Sequence, residues 1–276
     1  MTTTSDQQSV DPHAAQDVVE LLVDGGVATV VLNRPDAMNA VDRAVKERLI
    51  AVLEQVADDP QVRCVVLTGR GRAFCVGQYL NEHVASLVRG DEALGTTVVD
   101  HYNRIAVLLA TMNKPVVAAL NGVTAGAGAS MAFACDFRIL VEGAGINLAF
   151  AGIALSCDTG SSWSLPRLVG TARAKELLLL PRTVPSDECL ALGLVTTVSP
   201  ADQFDESVAA LARTLADGPT LAYGSIRRAV AANAGQDLDA ALAYEAELMT
   251  LTGASADHRA AVDAFLAKEK PVFEGR

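Results

Sequence analysis

The sequence predicts an α/β protein, in which short strands and helices alternate over most of the chain and helices alone follow. Short β-favouring apolar runs, each bounded by glycine or proline, lie between segments with helical spacing of apolar residues. These β-signals stop near Pro200. With 276 residues, half of them hydrophobic, the chain is long enough for one large core. We therefore predict a tail over residues 1–16, an α/β domain over residues 17–200 and a helical region over residues 201–276.

The first elements are predicted to be a hairpin, a helix and a strand. Asp24-Gly25-Gly26 separates two apolar runs, which is typical of a β-hairpin. Asp42 is a plausible N-cap for the helix that follows, because apolar residues recur there at helical spacing. The hairpin strands are residues 18–23 and 27–32, the helix carries Val45, Leu49, Val52, Leu53 and Val56, the next strand is residues 62–68, and a glycine-interrupted loop covers residues 69–77.

The stretch of residues 114–138 joins a buried strand to a buried helix through small residues. Residues 116–120 form the strand, and the helix is expected to start between Gly126 and Gly128. The first N–H groups of a helix have no partner inside it, so they can bind an oxygen that gains negative charge. The alternative is that glycine and alanine serve only close helix packing.

The rest of the chain is predicted to be mostly helical, with a few strands. Residues 81–113 indicate helices that border a pocket or cover it. Helices without strands are expected after residue 200. The further strands are residues 137–141, residues 146–153 and the end of PSDECLALGLVTTV, which begins with a short helix; the further helices are residues 173–180, 204–216, 221–232, 238–251 and 257–268.

Composition excludes several classes of protein. The net charge is −11 and no basic cluster exceeds Arg70-Gly71-Arg72, which argues against a nucleic-acid surface. No run reaches the roughly 18 apolar residues of a membrane span, and the N-terminus has no signal-peptide pattern, so we expect a cytoplasmic protein. The chain has 4 histidines and 5 dispersed cysteines, which favours buried free thiols and no metal site.

Three stretches together resemble the crotonase family, also called the enoyl-CoA hydratase/isomerase family. They are LNRPDAMNAV with VVLTGRGRAFCVGQYL, then KPVVAALNGVTAGAGASMAFACD, and then IALSCDTGSSWSLPRLVGTARAKELLL. The resemblance implies a spiral of ββα repeats with C-terminal helices that form a homotrimer or a dimer of trimers. It also implies an acyl-CoA thioester as substrate, with coenzyme A entering as part of it and no separate cofactor.

The family's chemistry assigns a role to the glycine-rich stretches. By motif position, the backbone N–H groups of Gln78 and Ala127 would bind the thioester oxygen as it gains negative charge. The family usually has three glycines where this chain has Gly126-Ala127-Gly128. Alanine keeps the N–H, although its methyl group could narrow the approach.

The resemblance disfavours simple hydration and leaves one acid, Asp158. Hydratases of the family use two glutamates, and this chain has Ser130 and Phe150 at those positions. Asp158 matches an aspartate of some family isomerases, in which one carboxylate moves a proton from the α-carbon to the γ-carbon. Phe150, Leu155 and Trp163 would form an apolar wall that raises its pKa. Asp158 is equally well placed to cap the following helix.

The resemblance also implies where the coenzyme A thioester binds. The adenine and phosphate loop would include Arg34, and the pantetheine strip would follow Gln78. The C-terminal lysines Lys268 and Lys270 could reach the nucleotide, or form only a solvated helix end. The predicted substrate-binding residues are Arg34, Ala37, Met38, Gly77, Tyr79, Leu80, Asn81, Gly126, Ser130 and Phe150.

Two other functions remain open, and two are excluded. CDTGSSWSL and FCVGQYL are similar to 4-chlorobenzoyl-CoA dehalogenases, but that enzyme's histidine is replaced by Asn103. A catalytically silent acyl-CoA binder would keep the N–H donors and use Asp158 only as a cap. A dinucleotide site fails at Met131, where a third glycine or alanine belongs. A serine hydrolase motif fails because Ala132 stands in place of its second glycine.

Overall fold

The structure is a computed structural model that describes residues 17–90 and 93–276. The predicted N-terminal tail, residues 1–16, lies outside the described residues. The strands are β1 (Val19–Asp24), β2 (Val27–Leu32), β3 (Cys64–Gly69), β4 (Ala73–Cys75), β5 (Val116–Leu120), β6 (Val123–Ala125), β7 (Phe137–Val141), β8 (Gly145–Asn147), β9 (Thr183–Pro185) and β10 (Thr197–Ser199).

A helix follows each of the strand pairs β1–β2, β3–β4, β5–β6 and β7–β8, and helices alone continue after β10 to the C-terminus. They are α1 (Arg43–Asp58), α2 (Leu80–Arg89), α3 (Ala93–Thr97), α4 (Asn103–Thr111), α5 (Ala127–Phe133), α6 (Ser161–Leu179), α7 (Ser186–Leu192), α8 (Phe204–Ala216), α9 (Thr220–Asn233), α10 (Leu238–Gly253) and α11 (Ala256–Ala267). A π-helical turn, Val98–Tyr102, leads into α4. No helix in the described part of the chain is long and apolar enough to cross a membrane.

The strands form two sheets, and consecutive strands along the chain alternate between them over β3 to β8. The larger sheet has the order β1-β2-β3-β5-β7-β10 and the smaller has the order β4-β6-β8-β9. Strands β3, β5 and β7 are parallel neighbours in the larger sheet, and β4, β6 and β8 are parallel neighbours in the smaller one. Each repeat therefore gives one strand to each sheet and then a helix, which confirms the predicted spiral of ββα repeats.

The core lies between the sheets and the helices of these repeats. Val116–Leu120 is buried at every position, as expected for a central parallel strand. The predicted apolar face of α1 is buried in full, and the Asp42 carboxylate accepts a hydrogen bond from the Val45 N–H at 3.0 Å. Burial raises the pKa of the thiols of Cys64, Cys75, Cys135 and Cys189 to about 12, in line with the predicted free thiols.

Arginine side chains hold the C-terminal helices against the spiral. Arg63 donates to the backbone oxygens of Gly218 at 2.5 Å and Phe273 at 2.7 Å. Arg227 in α9 pairs with Asp136 at 2.7 Å, next to the end of α5. The chain after residue 200 is therefore held to the spiral through charged groups as well as through the apolar residues of α8, which packs against the larger sheet.

Most predicted elements are present, and the short strands of the smaller sheet are the exceptions. β4, β6 and β9 were not predicted, because three residues are too few to show periodicity. The predicted strand of residues 146–153 was too long: β8 ends at Asn147 and a 3-10 turn, Ala151–Ile153, follows.

Candidate active site

A cavity of about 370 Å³ opens where the smaller sheet meets α2 and the start of α5. Its wall combines backbone of the glycine-rich stretches with apolar side chains and one carboxylate. It is lined by Ala40, Val76, Gln78, Tyr79, Leu80, Asn81, His83, Thr97, Val98, Tyr102, Gly126, Ala127, Ala149, Phe150, Ile153, Leu155 and Asp158. The structure therefore brings both predicted N–H donors and the predicted acid to one cavity.

Gly77 brings the two predicted donor residues together. Its φ of 84° lies in the left-handed region, where glycine is free of strain. A Cβ built on Gly77 would lie 3.0 Å from the backbone nitrogen of Ala127 and 3.3 Å from the Ala125 oxygen. A side chain at this position would separate the turn before Gln78 from the start of α5.

The backbone N–H groups of Gln78 and Ala127 are available to a ligand. Gln78 forms a parallel bridge with Val41, in which the Gly77 oxygen accepts from Val41 and the Tyr79 N–H donates back. The Gln78 N–H points away from that bridge and has no acceptor among the described residues. Ala127 is the first residue of α5, after the N-cap Gly126, and its N–H likewise has no acceptor in the described chain.

Close packing and ligand access both depend on the small residues of this helix. A Cβ on Gly128 would lie 2.3 Å from the backbone oxygen of Cys75, so only glycine lets α5 approach β4 this closely. The packing alternative considered from the sequence is therefore correct for Gly128. Ala127, one residue earlier, lines the cavity. Close packing therefore explains Gly128, whereas access to a ligand is open to its neighbour Ala127.

Asp158 lies in the loop before α6 and lines the cavity. Its Oδ1 accepts a hydrogen bond from the Thr159 hydroxyl at 2.8 Å, and no hydrogen bond from the described residues reaches Oδ2. The N-cap of α6 is Gly160, which lacks a side-chain cap, and Asp158 contributes only its backbone oxygen to Ser161. Helix capping therefore does not use this carboxylate.

Burial raises the pKa of Asp158, while the Thr159 hydroxyl and the charge of Lys46 oppose that rise. The backbone next to it is strained, because Thr159 is a buried β-branched residue with a φ of 53°. Phe150 and Leu155 line the cavity with Asp158, as predicted. The prediction for Trp163 was wrong: this side chain is 45% exposed and lies outside the cavity, on the outer side of α6.

Ser130, one turn into α5, does not line the cavity. It is fully buried, and its Oγ is hydrogen-bonded to the Gly126 oxygen at 3.2 Å and to the Ser161 hydroxyl. The helix turns this side chain toward α6, which the sequence alone did not indicate. We therefore withdraw the substrate contact predicted for Ser130 and assign it to the packing of α5 on α6.

Tyr79, Leu80 and Asn81 line the cavity at the start of α2, where the pantetheine strip was predicted. The Arg34 guanidinium lies 4.7 Å above the Tyr79 ring and pairs with Asp42 at 2.6 Å. Ala37 and Met38 are half-buried in the adjoining turn and do not line the cavity. The nucleotide-binding role of these three residues stays a prediction.

A polar cluster that the sequence did not indicate lies at the wall of the cavity and extends behind it to Lys46. The Gln78 side-chain oxygen accepts hydrogen bonds from Tyr102 Oη at 2.7 Å and Lys46 Nζ at 3.2 Å. The Gln78 amide nitrogen donates to Glu82 at 2.9 Å. Lys46 and Tyr102 stand at core-facing helical positions, so their spacing resembled that of ordinary core residues. A lysine on the apolar face of α1 was the one available signal.

The spiral and its cavity define the crotonase fold class, and comparisons with known proteins agree. The enoyl-CoA hydratase/isomerase family model matches residues 23–276. The chain is 38% identical over 254 residues to 1,2-epoxyphenylacetyl-CoA isomerase from Escherichia coli. The aligned residues cover 92% of this chain and 97% of that relative. It is 32% identical over 250 residues to 2,3-dehydroadipyl-CoA hydratase from the same organism, covering 91% of this chain and 96% of the relative.

A solved structure supports the same assignment. The crystal structure of an enoyl-CoA hydratase/isomerase from Mycobacterium abscessus is 43% identical, covers 94% of this chain and 100% of its own, and superposes with a TM-score of 0.89. The chain therefore belongs to the enoyl-CoA hydratase/isomerase family. It is an enzyme of that family that acts on CoA thioesters.

Proposed function

We propose that this enzyme is an acyl-CoA isomerase in which Asp158 is the proton carrier. The proposal rests on the side chains that line the cavity. Asp158 is the only carboxylate among the described residues that line it. The N–H groups of Gln78 and Ala127 lie in the same cavity. One acid beside two amide donors suits proton transfer within a bound thioester better than addition of water, for which the family's hydratases use two glutamates.

The proposed reaction moves a double bond from the β,γ to the α,β position. Asp158 takes a proton from the α-carbon, and the electron pair of that C–H bond forms the enolate. The thioester oxygen then carries the negative charge and accepts hydrogen bonds from the two backbone amides. The carboxylic acid returns the proton to the γ-carbon as the enolate collapses, so no water or other reactant is consumed.

The environment of Asp158 fits this role. A general base works best when its pKa lies near the working pH, and burial shifts the pKa of Asp158 in that direction. The Oδ2 atom has no partner from the described residues that would compete for the substrate proton. Phe150, Ile153 and Leu155 give an apolar surface for the acyl group.

A second candidate reaction is the isomerisation of 1,2-epoxyphenylacetyl-CoA. The similarity to the Escherichia coli isomerase named for that substrate favours it. The dehalogenase alternative has less support, because Asn103 is exposed and outside the cavity, and His101 contacts Thr97 instead. A silent acyl-CoA binder would need Asp158 to serve as a helix cap, which is not how its side chain is used.

The test is a substrate panel assayed with the wild-type protein and with Asp158→Asn. The panel contains β,γ-enoyl-CoA esters, α,β-enoyl-CoA esters and 1,2-epoxyphenylacetyl-CoA. We expect isomerisation of at least one ester, a rate loss of about 10²- to 10⁴-fold in the variant, and unchanged binding of a saturated acyl-CoA. Binding without turnover of any ester by the wild-type protein would support the silent binder instead.

We also propose that the enzyme forms a homotrimer or a dimer of trimers through its C-terminal helices. Leu238 and Met249 in α10 are each 72% exposed, and Phe265 in α11 is 81% exposed. Large apolar side chains so exposed are typical of a surface that pairs with another copy. Light scattering coupled to size exclusion tests this: a monomeric mass would contradict it, and three or six times the chain mass would support it.

A further inference from the structure

We propose that Lys46 positions the amide donor of Gln78, and that it does so from beneath the cavity through the Gln78 side chain. The inference rests on the proposed function, because it concerns how one N–H donor of that site is held. Lys46 does not line the cavity. It is therefore a positioning residue and not a catalytic one.

Lys46 is a buried cation whose contacts all belong to this cluster. Its side chain is 2% exposed, and its Nζ lies 3.2 Å from Gln78 Oε1, 2.8 Å from Thr97 Oγ1 and 3.5 Å from Glu82 Oε2. The Tyr102 ring lies 5.3 Å away, within the range of a cation–π contact. A buried ammonium group is costly unless it is paired and hydrogen-bonded, and this one has partners for its three protons.

The cluster fixes the Gln78 side chain at both ends of its amide. Oε1 accepts from Lys46 and from Tyr102, and Nε2 donates to Glu82 at 2.9 Å. Charge-assisted hydrogen bonds are stronger than neutral ones, so Lys46 and Glu82 contribute most to holding this side chain. Gln78 lies outside the regular strands and helices, directly after Gly77, whose φ is in the left-handed region. Its backbone is tied to the rest of the chain by one isolated bridge, to Val41. Rotation of the Gln78 N–H away from the cavity would therefore strain or break these side-chain hydrogen bonds.

The charge of Lys46 also acts across the cavity floor on Asp158. It lowers the pKa of Asp158 and so partly offsets the effect of burial. Other ionisable groups of this region, among the described residues, include Tyr79 just before α2, His83 and Glu82 in α2, and Tyr102. Removal of the cation is therefore expected to raise the pKa of Asp158 further, because the neighbouring carboxylate Glu82 would then be unbalanced.

Lys114 offers a matched control for a buried lysine. Its side chain is also buried, and its Nζ donates to the backbone oxygens of Val56 and Asp59, both at 2.8 Å. Burial lowers the pKa of both lysines. Lys114 does not line the cavity, so its loss affects folding without reaching Gln78.

The experiment compares Lys46→Met, Lys46→Arg, Lys114→Met and Tyr102→Phe with the wild-type enzyme. Three quantities are measured: kcat and KM on the best substrate of the panel, the pH profile of kcat/KM, and the absorption of bound cinnamoyl-CoA. The absorption band of that probe moves to longer wavelength when its thioester oxygen is polarised by hydrogen bonds. Unfolding midpoints show which variants are folded at the assay temperature.

We expect Lys46→Met to lower kcat by about 10²-fold with little change in KM, as for a misplaced catalytic group. The red shift of bound cinnamoyl-CoA should shrink, and the acid limb of the pH profile should move to higher pH. Lys46→Arg should restore most of the red shift, because it keeps the charge. Lys114→Met should leave the red shift and the pH profile unchanged, whatever its loss of stability. Tyr102→Phe should give a smaller loss in the same direction as Lys46→Met.

The inference is overturned if folded Lys46→Met keeps the wild-type red shift and pH profile, or if Lys114→Met changes them equally. If Lys46→Met does not fold, Tyr102→Phe provides the test. An unchanged red shift in that variant would contradict the proposal that the hydrogen bonds to the Gln78 side chain position its N–H. Failure of the proposed function is a separate outcome: Asp158→Asn would then keep full activity, whatever the Lys46 variants show.

Discussion

The backbone of Gly77 lies directly against the first nitrogen of α5, because a Cβ on Gly77 would come within 3.0 Å of Ala127 N. Two segments that are about 50 residues apart in sequence thus meet at the wall of one cavity, which both Gln78 and Ala127 line. The contact depends on a missing side chain and not on any attractive group. It is the feature of the molecule on which the proposed enolate stabilisation depends.

Gly77→Ala is expected to lower kcat by about 10²-fold, because the added methyl group separates the two donors. The control is Gly143→Ala, at a φ of 81° with no atom within 4 Å of the built Cβ, against 84° for Gly77. Both variants should lose about 1–2 kcal/mol from left-handed strain. Steady-state kinetics and denaturant unfolding check this, and equal activity losses in the two variants would contradict it.

Ala127→Pro removes one N–H donor without breaking the helix. Ala127 is the first residue of α5, where proline is well tolerated and no intrahelical hydrogen bond is lost. We expect kcat to fall by about 10²- to 10³-fold, as for other enzymes that lose one such donor. Ala127→Gly keeps the N–H and should stay near the wild-type rate. A proline variant with normal kcat would show that this amide does not stabilise the transition state.

Ser130→Ala separates the packing role now assigned to Ser130 from the substrate contact first predicted. The change leaves the buried Ser161 hydroxyl without its partner, which should cost about 1–3 kcal/mol of stability. KM and kcat should change little in the folded variant. A large rise in KM with unchanged stability would restore the original prediction.

Regular elements could be predicted from this sequence because their signals are local. Strand β5 is buried at every position and α1 carries a full apolar stripe, so both are visible in a single window. The three-residue strands β4, β6 and β9 are defined by partners elsewhere in the chain. Their pairing cannot be read from so few residues.

The site was predictable where the backbone supplies the chemistry and less so where side chains do. Gly77 and Gly126 mark the positions of the two donors, because a left-handed turn there requires glycine. The direction of the Ser130 side chain and the hydrogen bond from Lys46 to the Gln78 side chain depend on how helices pack on one another. Those contacts join residues about 30 positions apart, and nothing in the local pattern of either partner indicates them.

The ionised form of Asp158 is expected to cost the folded protein stability. Folding raises the pKa of Asp158. The folded protein is therefore stabilised by the protonated carboxyl group at any pH below the ordinary pKa of aspartate. This stabilisation is lost as the pH rises through the pKa that Asp158 has in the folded protein. Asp158→Asn should therefore be more stable than the wild-type protein at neutral pH, and the difference should shrink in acid. Free energies of unfolding across that pH range provide the measurement.

Asp257→Asn is the control for this stability difference. The Asp257 carboxylate is buried and accepts the backbone N–H groups of Glu274 at 2.6 Å and Gly275 at 2.9 Å. The same substitution there should destabilise by about 1–3 kcal/mol, because an amide cannot accept with both of its atoms. A loss of stability in both variants would contradict the proposed desolvation of Asp158.

The most direct measurement follows deuterium from the α-carbon of a β,γ-enoyl-CoA such as 3-hexenoyl-CoA deuterated at that carbon. NMR of the product, formed in ordinary water, shows whether the label reaches the γ-carbon. If Asp158 carries the proton within the apolar cavity, part of the label appears at the γ-carbon with the wild-type enzyme, and Asp158→Asn forms product about 10²- to 10⁴-fold more slowly. Equal rates and equal labelling with both proteins would contradict the assignment of Asp158.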